Sequence, residues 1–229
     1  MKKNIIITGA SGNLGTATVE AFLHAGYKVI ATGNTSVGME TNQRENLVYR
    51  SVNLLQESEA DAFIKNVITD YGTVDGGLLL VGGFAMGGID ITGGEALKKM
   101  YALNFETAYY VARPLFKHML DKGYGRLVFV GARPALKATL GKEMVAYALS
   151  KSLLFQLAEL LNEESKGKNI VASVIVPSTI DTPQNRESMP DANIETWVSP
   201  RYVAEILEFI CSDKSLALRY PVYKIYNNA

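Results

Sequence analysis

The 229 residues predict an α/β fold, an open, doubly wound parallel sheet with helices on both faces. Three observations carry that expectation. Short runs rich in Ile and Val alternate with helical patterns along the whole chain. The first of these runs lacks the in–out alternation of a sheet wetted on one side, as a strand covered by helices should. That run then passes straight into a glycine-rich turn and a helix. No linker-like tract divides the chain, so one domain over residues 1–229 is expected.

Taken in order, Asn4-Ile5-Ile6-Ile7 is the first strand, and Thr8-Gly9-Ala10-Ser11-Gly12-Asn13-Leu14-Gly15 is the turn. Ala17, Val19, Ala21, Phe22 and Leu23 then mark a helix that Gly26 closes. Strand, glycine turn and helix at the start is the dinucleotide-binding arrangement of Rossmann-type folds. Glycines let the backbone approach a pyrophosphate, and the helix N-terminus presents N–H groups to it. The second strand, residues 27–32, ends at Gly33-Asn34-Thr35-Ser36, where an NAD-binding fold usually places a carboxylate for the ribose. Without that negative charge nothing there repels a 2′-phosphate, so the sequence leans towards NADPH within the NAD(P)H class.

Residues 47–52 are the third strand, and Asn53-Leu54 after it form a lip for the adenine. A helix over 60–71 and a strand over 76–81 follow. Gly82 and Gly83 at that strand's end allow a backbone to pass close to a ligand, and Phe84 is the aromatic to set beside a substrate. Residues 95–120 read as one long helix containing Asn104, whose amide either faces solvent or bonds backbone across a site. Residues 126–131 are the fifth strand, and Ala132-Arg133-Pro134-Ala135 open a loop. Residues 169–176 are the sixth strand, ending at Pro177. The polar stretch from about 178 to 197 is a candidate substrate lid. A helix over 200–212 and a strand over 219–226 finish the chain.

The residues that carry chemistry lie between the fifth and sixth strands. Leu149, Leu153, Leu157 and Leu160 suggest one buried helical stripe, and on that helix Tyr147 and Lys151 share a face four residues apart. A free phenol titrates near ~10, and an ammonium beside it favours the phenolate, which makes the pair usable for proton transfer. Tyr220 and Lys224 repeat the spacing, but Pro221 stands between them and they cannot form a helical pair. In a doubly wound sheet ligands bind at the carboxyl ends of strands, where Gly9–Gly15, Gly82, Ala132 and Pro177 all fall.

Bulk properties exclude other classes. Net charge is zero with no basic cluster, so nucleic acid is not an expected partner. No apolar stretch is long enough to span a bilayer, and the start lacks a signal-peptide pattern, so no membrane association is expected. One cysteine, Cys211, excludes an internal disulfide and suits the cytoplasm. His24 and His118 are expected at the surface, Trp197 is expected to pack within the lid, and no residue is assigned to a metal.

With these parts in place, the chain resembles the short-chain dehydrogenase/reductase family over nearly its whole length. The likeness rests on the Thr8–Gly15 loop, Asn104, the Tyr147–Lys151 pair and the segment from Pro177 to Thr182. Within the family it is most similar to the dihydropteridine reductases. The shared features are Gly82-Gly83-Phe84, Gly131-Ala132-Arg133 with Ala135-Leu136, the run over 177–190, and Trp197. The resemblance implies an NAD(P)H-dependent reductase with Tyr147 as proton donor. It implies that Lys151 tunes that phenol and binds the nicotinamide ribose, with Asn104 linked to Lys151 through a water. Ile180 and Thr182 would hold the carboxamide, and a homodimer or homotetramer is expected.

The departures matter equally. Asn13 stands where a glycine is common, and Leu79-Leu80-Val81-Gly82 replaces the usual Asn-Asn-Ala-Gly. Ala132 replaces the serine that holds a reacting carbonyl, a loss worth roughly 10²–10³-fold by analogy with oxyanion donors. Dihydropteridine reductases lack that serine too, because a quinonoid dihydropterin accepts hydride into a conjugated imine. They differ in having an Asp at the Gly33 position and no helix Asn. A pterin-like substrate is therefore the expectation. A broad carbonyl or quinone reductase and a non-catalytic NAD(P)-binding regulator are the alternatives.

Overall fold

The computed structural model describes residues 2–33, 44–219 and 222–229. Asn34, Thr35, Ser36, Tyr220 and Pro221 lie outside the described residues. β1 (Asn4–Thr8), β2 (Lys28–Gly33), β3 (Leu47–Ser51), β4 (Gly76–Leu79), β5 (Tyr124–Val130), β6 (Asn169–Pro177) and β7 (Val222–Ile225) form one sheet. All pair in parallel, in the order β3-β2-β1-β4-β5-β6-β7. The order reverses between β1 and β4, which opens a crevice at their carboxyl ends. Thr8 pairs with both Thr32 and Leu79, so the three strands end level there.

Consecutive residues of β1 serve opposite faces, which explains its unbroken apolar run. Ile6 packs with Ile30, Leu79, Leu115 and Phe129 on one face. Ile5 and Ile7 pack with Phe22, Val128, Ile175 and Leu207 on the other. All three isoleucines are at most 1% exposed, each contributing about 1.5–3 kcal/mol of burial. The second face is covered by α1 (Asn13–His24) and, from further along the chain, the helix over Pro200–Cys211. The first face is covered by α2 (Glu57–Tyr71) and by two helices described next.

The expected long helix is interrupted. α3 (Gly94–Tyr101) passes into a π-helical turn, Ala102–Glu106, before α4 (Thr107–Lys122). A π turn inserts an extra residue into the helical ladder and redirects side chains, often at functional sites. Here it carries Asn104 to 0% exposure rather than to solvent. The loop expected after β5 instead winds into two short turns, α5 (Arg133–Leu136) and α6 (Ala138–Gly141).

α7 (Val145–Glu164) is the long helix with Tyr147. Of the expected leucine stripe only Leu157 lies on its buried face. Ala146, Ser150, Lys151, Leu154, Leu157, Ala158 and Leu161 are buried, whereas Leu149 and Leu160 are exposed at 53% and 58%. His118 is also corrected. It is buried, and its Nε2 accepts from the Val74 amide at 3.2 Å. Residues 178–197 are more ordered than a turn-rich stretch suggests. They contain α8 (Pro183–Ser188) and a 3₁₀ turn (Ile194–Thr196), before α9 (Pro200–Cys211). Trp197 is buried as expected. Among the described residues no helix is long and apolar enough to cross a membrane.

Candidate active site

The glycine turn follows β1 at the crevice. Gly9 adopts φ +65°, and a Cβ there would sit 3.1 Å from the Val81 nitrogen. The Gly12 amide donates to the Gly9 carbonyl at 3.0 Å, closing the turn. A Cβ on Gly15 would fall on that same carbonyl oxygen and 2.7 Å from the Ala10 Cα, so α1 packs tightly against the turn. Ser11, Gly12 and Asn13 are exposed, and α1 starts without a capping side chain. This leaves a glycine cradle and uncapped helix amides, into which a pyrophosphate fits. Thr8 is spent on structure, its Oγ1 accepting from the Leu80 amide at 3.1 Å.

Gly33 is covered, since a Cβ there would lie 2.6 Å from Tyr49 Oη and 2.7 Å from Ser11 Oγ. Tyr49 was not singled out by the sequence, because a strand tyrosine carries no motif. Leu54 is buried beneath the lip, and Asn53 holds the turn by accepting from the Leu55 amide at 3.2 Å.

At the other side of the crevice the expected residues converge. Gly82 lies between two side chains, and a Cβ there would sit 2.8 Å from Asn104 Oδ1 and 2.9 Å from Lys151 Nζ. The Gly83 amide donates to Asn104 Oδ1 at 2.8 Å. Asn104 Nδ2 donates to Ser150 Oγ at 3.0 Å, and that hydroxyl donates to the Tyr147 carbonyl at 2.8 Å. Ser150 is a second residue the motif reading missed, although its place beside Lys151 on the helix was available.

Lys151 Nζ donates to the Val130 carbonyl at 2.8 Å, at the end of β5. Ala132 follows two residues later, is 4% exposed, and offers a methyl group where a hydroxyl could have stood. Phe84 meets Tyr147 edge to face, with ring centroids 5.1 Å apart. The loop carrying Phe84 is tied to the start of α7, since Gly87 donates to the Glu143 carbonyl and accepts from the Val145 amide. Ile180 and Thr182 stand beyond Pro177. Thr182 Oγ1 caps α8 by accepting from the Asn185 amide at 3.1 Å, and the Ile180 carbonyl accepts from Asn185 Nδ2 at 2.8 Å.

The electrostatics correct one expectation. Burial pushes the Tyr147 phenol up to about 12, opposite in direction to the lowering expected from a neighbouring ammonium. Burial pulls Lys151 down to about 8. Both shifts disfavour charge, as a low-dielectric pocket does.

Parallel sheet, glycine cradle and a Tyr–Lys pair at the strand ends define a nicotinamide-dinucleotide-dependent oxidoreductase of the short-chain type. The sequence profile of the short chain dehydrogenases matches residues 3–193, and the chain belongs to the short-chain dehydrogenase/reductase family. It is 30% identical over 212 residues to a dihydropteridine reductase of Dictyostelium discoideum, covering 90% of this chain and 87% of that protein. It is 26% identical over 198 residues to an acetoacetyl-CoA reductase of Acinetobacter sp., covering 80% of this chain and 76% of the relative. Among solved structures it resembles ElxO with NADP bound, with a TM-score of 0.90 at 19% identity. That match covers 98% of this chain and 97% of the other.

Proposed function

We propose that this protein is an NAD(P)H-dependent reductase of quinonoid dihydropterin, favouring NADPH. The observation that carries the reading is Ala132, buried at the end of β5 where a carbonyl reductase needs a hydroxyl. A conjugated imine acceptor needs no such donor. Similarity along most of the chain to a dihydropteridine reductase supports the same reading, and the NADP named with ElxO supports the cofactor preference. A carbonyl or quinone reductase of low selectivity is the second reading, favoured by similarity to acetoacetyl-CoA reductase.

Residues Gly9, Ser11, Gly12, Asn13, Leu14 and Gly15 cradle the pyrophosphate, with Gly33, Asn53 and Leu54 bordering the adenosine. Gly82, Gly83, Ala132, Pro177, Ile180 and Thr182 border the nicotinamide end. When bound, the reduced dinucleotide supplies a hydride. Tyr147 holds a proton on its phenol throughout the neutral range and delivers it to the reduced acceptor. Lys151, held by the Val130 carbonyl, can donate to the ribose and replenish that proton. Phe84 and Tyr147 form an aromatic corner for a flat substrate. Asn104 holds the Gly82–Gly83 backbone in place.

Residues 178–197 act as a lid in this reading. The two ends are joined, as Asp181 donates to the Val198 carbonyl and Val198 donates to the Thr179 carbonyl. The exposed Leu149, Leu153 and Leu160 face, beside a groove of 400 Å³ lined by Tyr109, Phe116 and Leu157, suits a second copy of the chain. A homodimer or homotetramer is the expected state, and a monomer at micromolar concentration by light scattering would refute it. Cytoplasmic residence fits the buried free thiol of Cys211.

The deciding test is steady-state oxidation of NADH and NADPH with chemically generated quinonoid dihydropterin. Rapid turnover, faster with NADPH, is expected. Binding of both nucleotides without oxidation would move the assignment to quinones and carbonyls. Tyr147→Phe should abolish turnover, by about 10²–10⁴-fold, while nucleotide affinity stays unchanged. A regulator without turnover would be indifferent to that change.

A further inference from the structure

We infer that Ser150 is a positioning residue that ties the Gly82–Gly83 loop to the turn of α7 bearing Tyr147. The argument starts from donor and acceptor chemistry. The Gly83 amide can only donate, so Asn104 must turn Oδ1 towards it at 2.8 Å. That leaves Nδ2 as a donor aimed at Ser150 Oγ at 3.0 Å. Having accepted there, the serine hydroxyl gives its own proton to the Tyr147 carbonyl at 2.8 Å. Each member of the chain can face only one way.

Solvent does not compete for these groups. Asn104 is 0% and Ser150 3% exposed, and such buried chains are costly to break. The other contact of Nδ2 is Met100 Sδ at 3.8 Å, a weak acceptor. The loop has no slack either, because a Cβ on Gly82 would already press on both Asn104 and Lys151. The π turn over Ala102–Glu106 brings Asn104 into this line, and Ser150 Oγ is the one atom in it that both accepts and donates. Its hydroxyl bonds Asn104 and the Tyr147 backbone, so it acts by fixing the separation between the loop and the Tyr147 turn.

The inference rests on the family's Tyr–Lys chemistry and not on the pterin reading, and its first readout needs no substrate. Amide hydrogen exchange at Gly83 is measured for the wild type, Ser150→Ala, Ser150→Thr and Ser150→Cys. NADPH turnover is measured with quinonoid dihydropterin, or with menadione if the pterin is refused. Ser150→Ala should speed Gly83 exchange and lower kcat, each by about tenfold, with KM for NADPH moving less than about twofold. Ser150→Thr, which keeps the hydroxyl, should restore both. Ser150→Cys keeps the volume with a poor hydrogen-bonding group, so it reports the same loss if the alanine variant fails to fold. Wild-type Gly83 exchange and kcat in the alanine or cysteine variant would overturn the assignment. So would a lowered Tm with kcat intact, or an equal loss in the threonine variant.

Discussion

The ring of Phe84 stands edge-on to the ring of Tyr147, 5.1 Å between centroids, although Phe84 itself is 60% exposed. A large aromatic left so open contributes little to folding, and its contact with the phenol proposed as proton donor is the basis for expecting it to hold substrate. Aromatic pairs of this geometry are worth about 0.5–1.5 kcal/mol. Phe84→Ala should therefore leave Tm within a degree or two and raise KM for the acceptor several-fold. Thermal melts and steady-state kinetics on one preparation check both halves. A large drop in Tm with unchanged KM would make Phe84 a packing residue.

Burial of Lys151 gives stability a definite pH dependence. Its ordinary value is 10.5 and in the folded protein it is about 8. Between the two the unfolded chain holds a proton that the folded chain has released, so this group makes stability rise with pH. Tyr147 acts oppositely and higher, since its phenol moves from 10.0 to about 12 and stability falls with pH in that range. Relative to Lys151→Met, the wild type should gain stability between about pH 8 and 10, by at most about 3 kcal/mol. Urea unfolding of both proteins at several pH values measures the difference. A difference that is flat or falls with pH would mean the ammonium is not desolvated.

The glycine turn separates a rigid from a tolerant position. Gly15→Ala would place a methyl on the Gly9 carbonyl oxygen and the Ala10 backbone, which cannot yield as a side chain can. Gly12→Ala would meet only the Gly9 oxygen at 3.4 Å, an ordinary contact. The first variant should lose NADPH affinity by more than about tenfold and several kcal/mol of stability, in the range of overpacked sites. The second should retain its stability. Isothermal titration and denaturant unfolding distinguish them.

At the end of β2 the cover over Gly33 bears on cofactor choice. An Asp introduced there would add repulsion to a 2′-phosphate and displace the hydroxyls of Tyr49 and Ser11, which lie 2.6 and 2.7 Å from its Cβ position. Gly33→Asp should weaken NADPH more than NADH, shifting the ratio of dissociation constants by at least about tenfold, equivalent to ~1.4 kcal/mol. Adding Tyr49→Ala should recover part of the stability lost to crowding. An unchanged ratio would show that the 2′-phosphate lies elsewhere.

The sequence by itself determined the parallel sheet, the glycine turn after β1 and the helix that carries Tyr147 and Lys151 four residues apart. These follow from local chemistry, because backbone freedom, strand burial and a 3.6-residue period act within a few residues of one another. Tertiary structure alone decided which face of α7 meets the sheet. Periodicity gives Leu149, Leu153, Leu157 and Leu160 one stripe, but not that Leu157 alone of these would be buried, on a face shared with Ala146, Ser150 and Leu154. The same limit covers His118, buried against the Val74 amide, and the π turn that brings Asn104 to Ser150. It also covers the proton on Tyr147, since an adjacent ammonium predicts a lowered pKa while desolvation by packed neighbours raises it. Burial and dielectric are set by what packs from distant parts of the chain, and no local pattern encodes them.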